Sequence, residues 1–182
     1  MKLTKTLAQK TLGLLVLAII ISVPAAAQEM PKLTDAEVAH VAVVANKIDI
    51  GYAEIAKEMS TNEDVLNFAE TMINDHNAII AQAAALAKKL GVTPMDNPVS
   101  QQLLTNAETT KETLRSKSAE AFDQAYIDNE VAYHKAVINA VEGLLIPETE
   151  NAELKQLLQN VLPALRTHLE HAQMVQKQLQ SK

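Results

Sequence analysis

From Val65 to Leu90 the apolar side chains recur at spacings of 4, 3, 4, 3, 4, 3 and 4, through Val65, Ala69, Met72, Ile79, Ala83, Leu86 and Leu90, with His76 at the one polar step. A strand has a period of two and cannot carry that pattern; a helix of 3.6 residues per turn puts all eight on one stripe. The rhythm returns in Val38, Val41, Ala45, Ile48, Tyr52, Ile55 and Met59, and again in Leu154, Leu158, Val161, Leu165, His168, Ala172, Val175 and Leu179. Between them lie two overlapping stripes: Ile127, Val131, His134, Ile138, Val141 and Leu145, and Tyr126, Glu130, Tyr133, Val137, Ala140 and Leu144. Each amphipathic helix must bury its stripe on another, so the chain reads as a bundle.

Local signals set the boundaries. "TDAE" at 34–37 and "STNE" at 60–63 are capping boxes, Gly91 supplies a left-handed C-cap, Asn97-Pro98 is an N-cap and N1 pair, and Pro147 is a stop. The predicted helices are 34–59, 61–90, 98–117, 118–146 and 149–180, with a kink at Pro163, which lacks a backbone donor. The first and last pairs of long helices are joined tightly, whereas the middle connection is long and contains the shorter helix. One long crossover is the connectivity of ferritin-like four-helix bundles. The predicted fold is therefore all-α, a ferritin-like four-helix bundle with an additional crossover helix; plain up-down-up-down stays open if that segment folds back on itself.

The N-terminus reads separately. Lys2, Lys5 and Lys10 precede an apolar run from Leu12 to Val23, followed by Ala25-Ala26-Ala27. A basic region, a short apolar core and a small-residue exit make a cleavable signal peptide over 1–27. The run is too short for the ~20 residues that span a bilayer. The expectation is a periplasmic domain over 28–182, with secretion as the alternative, and no transmembrane segment after cleavage. Losing those three lysines takes the net charge from −6 to −9, which excludes nucleic acid as a partner. With no Cys in the chain, disulfides and thiolate metal sites are ruled out, and stability rests on packing.

His76, His134 and His168 each occupy a seam position on a different helix, while His40 and His171 lie off the seams. His76 and His134 are each about 16 residues into their helices and share a level ~24 Å along the bundle. The same count sets His168 about seven residues away, ~10 Å off that level. Glu130 falls between the levels with Asp49 near it, and Tyr52 and Tyr126 fall close to His168. Asp75 points about 100° away from His76 and serves the flank.

Two readings follow. In the first, the protein is non-enzymatic, binding or structural in the envelope, and its seam His, Asp and Tyr residues form a buried hydrogen-bond network. Buried neutral histidines then predict stability falling from about pH 7 to 5. In the second, His76, His134 and His168 bind a divalent transition metal (zinc, copper or iron), with Glu130 or Asp49 helping. A ferritin-like oxidase needs Glu-x-x-His on two helices; the only inward pair is Glu130-x-x-x-His134, so ferroxidase chemistry is not expected. The wide apolar face around His134 leaves a protein partner or a second copy open.

"VLNFAETMINDH", "AKKLGV", "FDQAYIDNEVAYH" and "LPALRTHLEHA", in that order, resemble the domain-of-unknown-function family 4142 over about residues 35–178. These are exported bacterial proteins with a ferritin-like helical bundle, some labelled as outer-membrane proteins. The resemblance implies that fold, an exported location, and a recurrent His on three helices, matching His76, His134 and His168. Asp75, Asp123 and Tyr126 stand in the surrounding motifs. Gln is common in the family where this chain has Glu130. No established reaction comes with the family.

Overall fold

A computed structural model describes residues 32–181; the signal peptide expected over 1–27 lies outside them. The described chain folds as α1 (Asp35–Met59), α2 (Glu63–Leu90), α3 (Pro98–Arg115), α4 (Ala119–Ala140), a π-helical turn (Val141–Leu145), the one-turn α5 (Ile146–Glu148) and α6 (Ala152–Gln180). No described residue forms a strand, and no helix among them is long and apolar enough to cross a membrane.

The helix ends follow the local chemistry, with two corrections. Thr34 and Glu37 close the capping box on α1, and Gly91 (φ 66°) ends α2 in the left-handed region that a side chain would resist. At the second start the cap is Asn62, whose side chain accepts from the Asp64 N–H, while Ser60 only receives the Asn62 N–H. The "STNE" box therefore does not form. Pro147 does not stop its helix at 146 either. It follows a π-helical turn, in which one extra residue loosens the ladder, and helical backbone continues to Glu148. Asn151 then caps α6 through the Glu153 and Leu154 N–H groups. α6 runs unbroken through Pro163.

Two antiparallel hairpins, α1–α2 and α4–α6, make up the bundle. α3 lies along α1. It is entered where Met95 N–H donates to Ala36 O (2.9 Å), and Lys111 lies against Gly51 farther along. α4 thus begins beside the beginning of α2, where Tyr126 and Phe68 pack ring to ring at 6.1 Å. α2 and α4 run parallel, joined by one long crossover, which rules out up-down-up-down. At the opposite end Asp35, in the first turn of α1, accepts from Glu150 and Asn151 N–H, so α1 and α6 start together.

The core falls into two apolar clusters. One gathers Ile55, Val65, Phe68, Met72, Phe122, Tyr126 and Val175; the other gathers Val38, Val41, Ile138, Leu145, Leu154 and Leu158. The α2 stripe is only partly used. Val65, Ala69, Met72 and His76 are buried, but Ile79, Ala83, Leu86 and Leu90 are half-buried. They face a cavity rather than a packed helix.

Candidate metal centre

Five ionisable side chains meet between the four long helices: Asp49 (1 % exposed), His76 (3 %), Glu130 (0 %), His134 (1 %) and His168 (3 %). At that depth none can rely on bulk water, so each polar atom needs a partner inside the protein.

The imidazoles come together as one group. The His76 ring centre lies 5.9 Å from that of His134 and 5.2 Å from that of His168, and the latter two are 5.5 Å apart. One nitrogen from each lies within 4.8 Å of the others. The ~10 Å offset expected for His168 is therefore wrong. The π turn and α5 carry the second hairpin on to Thr149–Asn151 before it reverses, instead of turning at Pro147. Moving the turn by several residues brings His168 to the level of His134.

Each ring is oriented from outside by an acceptor. The Asn46 amide donates to Ala42 O (2.8 Å), so its Oδ1 faces His76 Nδ1 at 2.6 Å and accepts a hydrogen bond from it. His134 Nδ1 donates to Glu130 O at 3.0 Å, one turn earlier on α4. His168 Nε2 donates to Asp75 Oδ2 at 2.9 Å, across from α6 to α2. In its neutral form an imidazole that donates through one nitrogen presents a bare lone pair on the other. His76 Nε2, His134 Nε2 and His168 Nδ1 are those lone pairs, and all three are buried without a hydrogen-bond partner. Rings held by such outer acceptors are the arrangement of metal-ligating histidines.

Asp49 stands beside two of the three rings. Its Oδ2 lies 3.4 Å from His76 Nε2 and 3.5 Å from His134 Nε2, and neither of its oxygens has a hydrogen-bond partner. Those separations are at the long limit for a hydrogen bond, and none forms there. They match the ~3.4 Å edge of a tetrahedron with metal–ligand bonds of ~2.1 Å. Glu130 lies on the other edge of His134, Oε2 to Nδ1 3.6 Å, and Asp49, Glu130 and His134 form a second group of ligand atoms within 4.8 Å. Burial drives His76 down to about 3 and His134 to about 4, and it drives Asp49 up to about 8. Burial first and then the Asp49 charge push Glu130 well above the carboxylate range. Without a counter-charge these four groups are each pushed toward their neutral forms.

Of the sequence-derived residues, the structure brings together His76, His134, His168, Glu130 and Asp49, with Asp75 behind His168. Tyr126 is buried one turn before Glu130 with its hydroxyl unpaired. Tyr52 lies edge-on to Tyr133 at 5.5 Å. Asp123 belongs to neither ligand group. Two participants had been passed over: Asn46, and Tyr133, whose hydroxyl donates to Ala45 O at 2.9 Å. Asn46 could have been found, because it stands three residues before Asp49 and shares its face.

No curated protein and no solved structure matches the chain. The family match covers residues 22–175, which includes α1–α5 and α6 as far as Val175, and with them every residue of the cluster. The chain belongs to the domain of unknown function family DUF4142.

Proposed function

We propose that this protein is an exported helical bundle that binds one divalent transition metal in its core, with His76 Nε2, His134 Nε2, His168 Nδ1 and Asp49 as ligands and Glu130 beside them. One observation carries the reading: three buried imidazoles bring ring nitrogens within 4.8 Å of one another, and a buried carboxylate with no hydrogen-bond partner, Asp49, stands 3.4 and 3.5 Å from two of them. Six buried polar atoms there are unanswered, counting both Asp49 oxygens and Glu130 Oε2 with the three nitrogens. Each costs roughly 1–3 kcal/mol, a total comparable with the ~5–15 kcal/mol that holds a whole domain together. A single cation would satisfy most of them at once. A metal-free network accounts for the outer hydrogen bonds to Asn46, Glu130 O and Asp75 but leaves the inner atoms without partners.

Three imidazoles and a carboxylate, with no thiolate, form a borderline donor set suited to zinc, copper or iron. Export is supported by the basic, apolar and small-residue segments of 1–27, and the single crossover between hairpins supports a ferritin-like class. The set lacks the paired Glu-x-x-His motifs of di-iron enzymes, so the role favoured is holding the metal rather than oxidising it.

The test is elemental mass spectrometry on untagged protein purified from the periplasm without chelator. His76→Ala, His134→Ala, His168→Ala and Asp49→Asn are measured beside it. The expected result is close to one equivalent of metal in the wild type, lost in each histidine variant and weakened in Asp49→Asn. Wild-type protein that takes up no zinc, copper or iron even on reloading would return the histidines to a structural role.

A further inference from the structure

The bundle is not filled beyond the histidines. An apolar cavity of about 520 Å³ runs from Asp49, His76 and His134 toward the end where α1 and α6 begin. Natural cores leave few voids larger than a water molecule, whereas ligand sites occupy ~300–1,000 Å³. The sequence explains the space. Where α2 faces α1 and α6 it offers Ala83 and Ala87 opposite Ala39 and Ala42, too small to close the gap, with Leu86 and Leu158 along the sides. From His76 to Leu90, α2 supplies ~21 Å of wall at ~1.5 Å per residue.

Polar groups stand only at the two ends of this wall. At the far end Asp35 and Asn151 are engaged with each other, Asn151 N–H to Asp35 Oδ2 at 3.0 Å. At the near end the wall is the metal centre with the neutral side chains of Asn46, Tyr52, Asn106, Thr110, Asn129 and Tyr133 around it. An occupant must therefore be long, apolar and polar at one tip. The imidazole nitrogens that face inward carry lone pairs and cannot donate to an anionic tip directly. A divalent ion facing Asp49, the one carboxylate of the metal site in the cavity wall, retains a single positive charge; Glu130 lies behind His134, outside that wall. A buried charge needs a partner, and a monoanion at the tip of an apolar chain supplies it.

We propose that the cavity takes a long-chain monocarboxylate, its chain along α2 and its carboxylate taking a fifth position on the metal held by His76, His134, His168 and Asp49. The inference rests on the metal reading above and adds the ligand class.

Zinc-loaded protein is titrated with straight-chain carboxylates from octanoate to hexadecanoate, with hexadecan-1-ol as the uncharged control. Chelator-stripped protein and Ala83→Trp are run in parallel. Ala83 lines the cavity seven residues, ~10 Å, along α2 from His76, so the indole should fill the channel and leave the metal in place. Affinity is expected to tighten by about fourfold for each added methylene, the equivalent of ~0.8 kcal/mol, until the cavity is full. Stripping the metal should weaken the acid at least tenfold and leave the alcohol unchanged. Ala83→Trp should lose the acid while keeping its zinc and its helical content; if it does not fold, Ala83→Leu is the milder block. Zinc-loaded protein that ignores every carboxylate overturns the ligand class and spares the metal reading. Equal binding with and without metal, or of acid and alcohol alike, overturns the placement of the head. Protein that takes up neither zinc, copper nor iron overturns both.

Discussion

Asp75 side chain is 52 % exposed, yet it reaches the buried centre through one hydrogen bond, accepting from His168 Nε2. Its effect is exerted through a tautomer: with the proton fixed on Nε2, His168 Nδ1 presents its lone pair inward. Removing such an outer partner weakens metal affinity by ~10–100-fold while all ligands remain. Asp75→Ala should therefore raise the zinc dissociation constant by about that factor and lower the melting temperature of the metal-free protein by only a few degrees, since water at the half-exposed Asp75 position can accept the His168 N–H in its place. Asp75→Asn keeps an oxygen acceptor and should recover part of the affinity. A competition titration with a chromophoric chelator reads both; wild-type affinity in Asp75→Ala would remove Asp75 from the orienting role. Asn46 acts on His76 in the same way, but its side chain shares a helix with Asp49 and donates to Ala42 O, so replacing it disturbs more than one bond.

At the scale of elements, α2 consists of two halves with different neighbours. Val65, Phe68, Ala69, Met72 and His76 are buried against three helices, while Ile79, Ala83, Leu86 and Leu90 border the cavity and Ala81, Gln82, Ala84 and Ala85 are exposed. Local opening follows local burial, so amide exchange should be markedly faster over 79–90 than over 65–76 in the metal-free protein, and a cavity ligand should slow it. Uniform protection along α2 would mean that the second half is packed as tightly as the first. The sequence carried the apolar stripe through all of α2, because periodicity reports which face is apolar and not whether anything lies against it. Periodicity and caps were enough for the helices, the crossover and the three seam histidines. They could not show the π turn before Pro147: five residues of Val, Glu, Gly and Leu bear no mark of i→i+5 bonding, and the stop signal at Pro147 pointed the wrong way. That one unseen turn decides whether His168 joins the other two. Asp49 was found by its depth along α1, but its contact with two rings depends on how α1, α2 and α4 are spaced, which no single stripe encodes.

At the scale of the whole molecule, the four shifted groups of the centre act together on stability. Burial holds His76 and His134 neutral in the fold, down to about 3 and about 4, whereas unfolded they take up protons below about pH 6.5. Taken alone, they would destabilise the fold as pH drops from 7 toward 5. Burial also keeps Asp49, raised to about 8, and Glu130 protonated in the metal-free fold, whereas unfolded both ionise above about pH 4.3. Near pH 5 these four groups then bind about the same number of protons in both states, two on carboxyls in the fold and two on imidazoles in the unfolded chain. An ion pair between Asp49 and one of the imidazoles would not change that number. The acid-side loss expected from the histidines is cancelled in that window. Above pH 6.5 the unfolded imidazoles release their protons while the folded carboxyls keep theirs. The folded state then binds more protons, and stability falls as pH rises toward 8, by at most ~1.4 kcal/mol per pH unit for each proton. A bound divalent ion reverses the trend, because it displaces the carboxyl protons and its affinity grows as protons compete less. At a free concentration of ~1,000 times its dissociation constant it adds ~4 kcal/mol. Thermal melts of chelator-stripped and zinc-loaded protein between pH 5.5 and 8 should therefore diverge, the stripped form losing stability above pH 6.5 while the loaded form holds or gains. Stripped protein whose stability is level or rising from pH 6.5 to 8 would mean that Asp49 and Glu130 are already ionised in the metal-free core, and that some other cation or water has answered them.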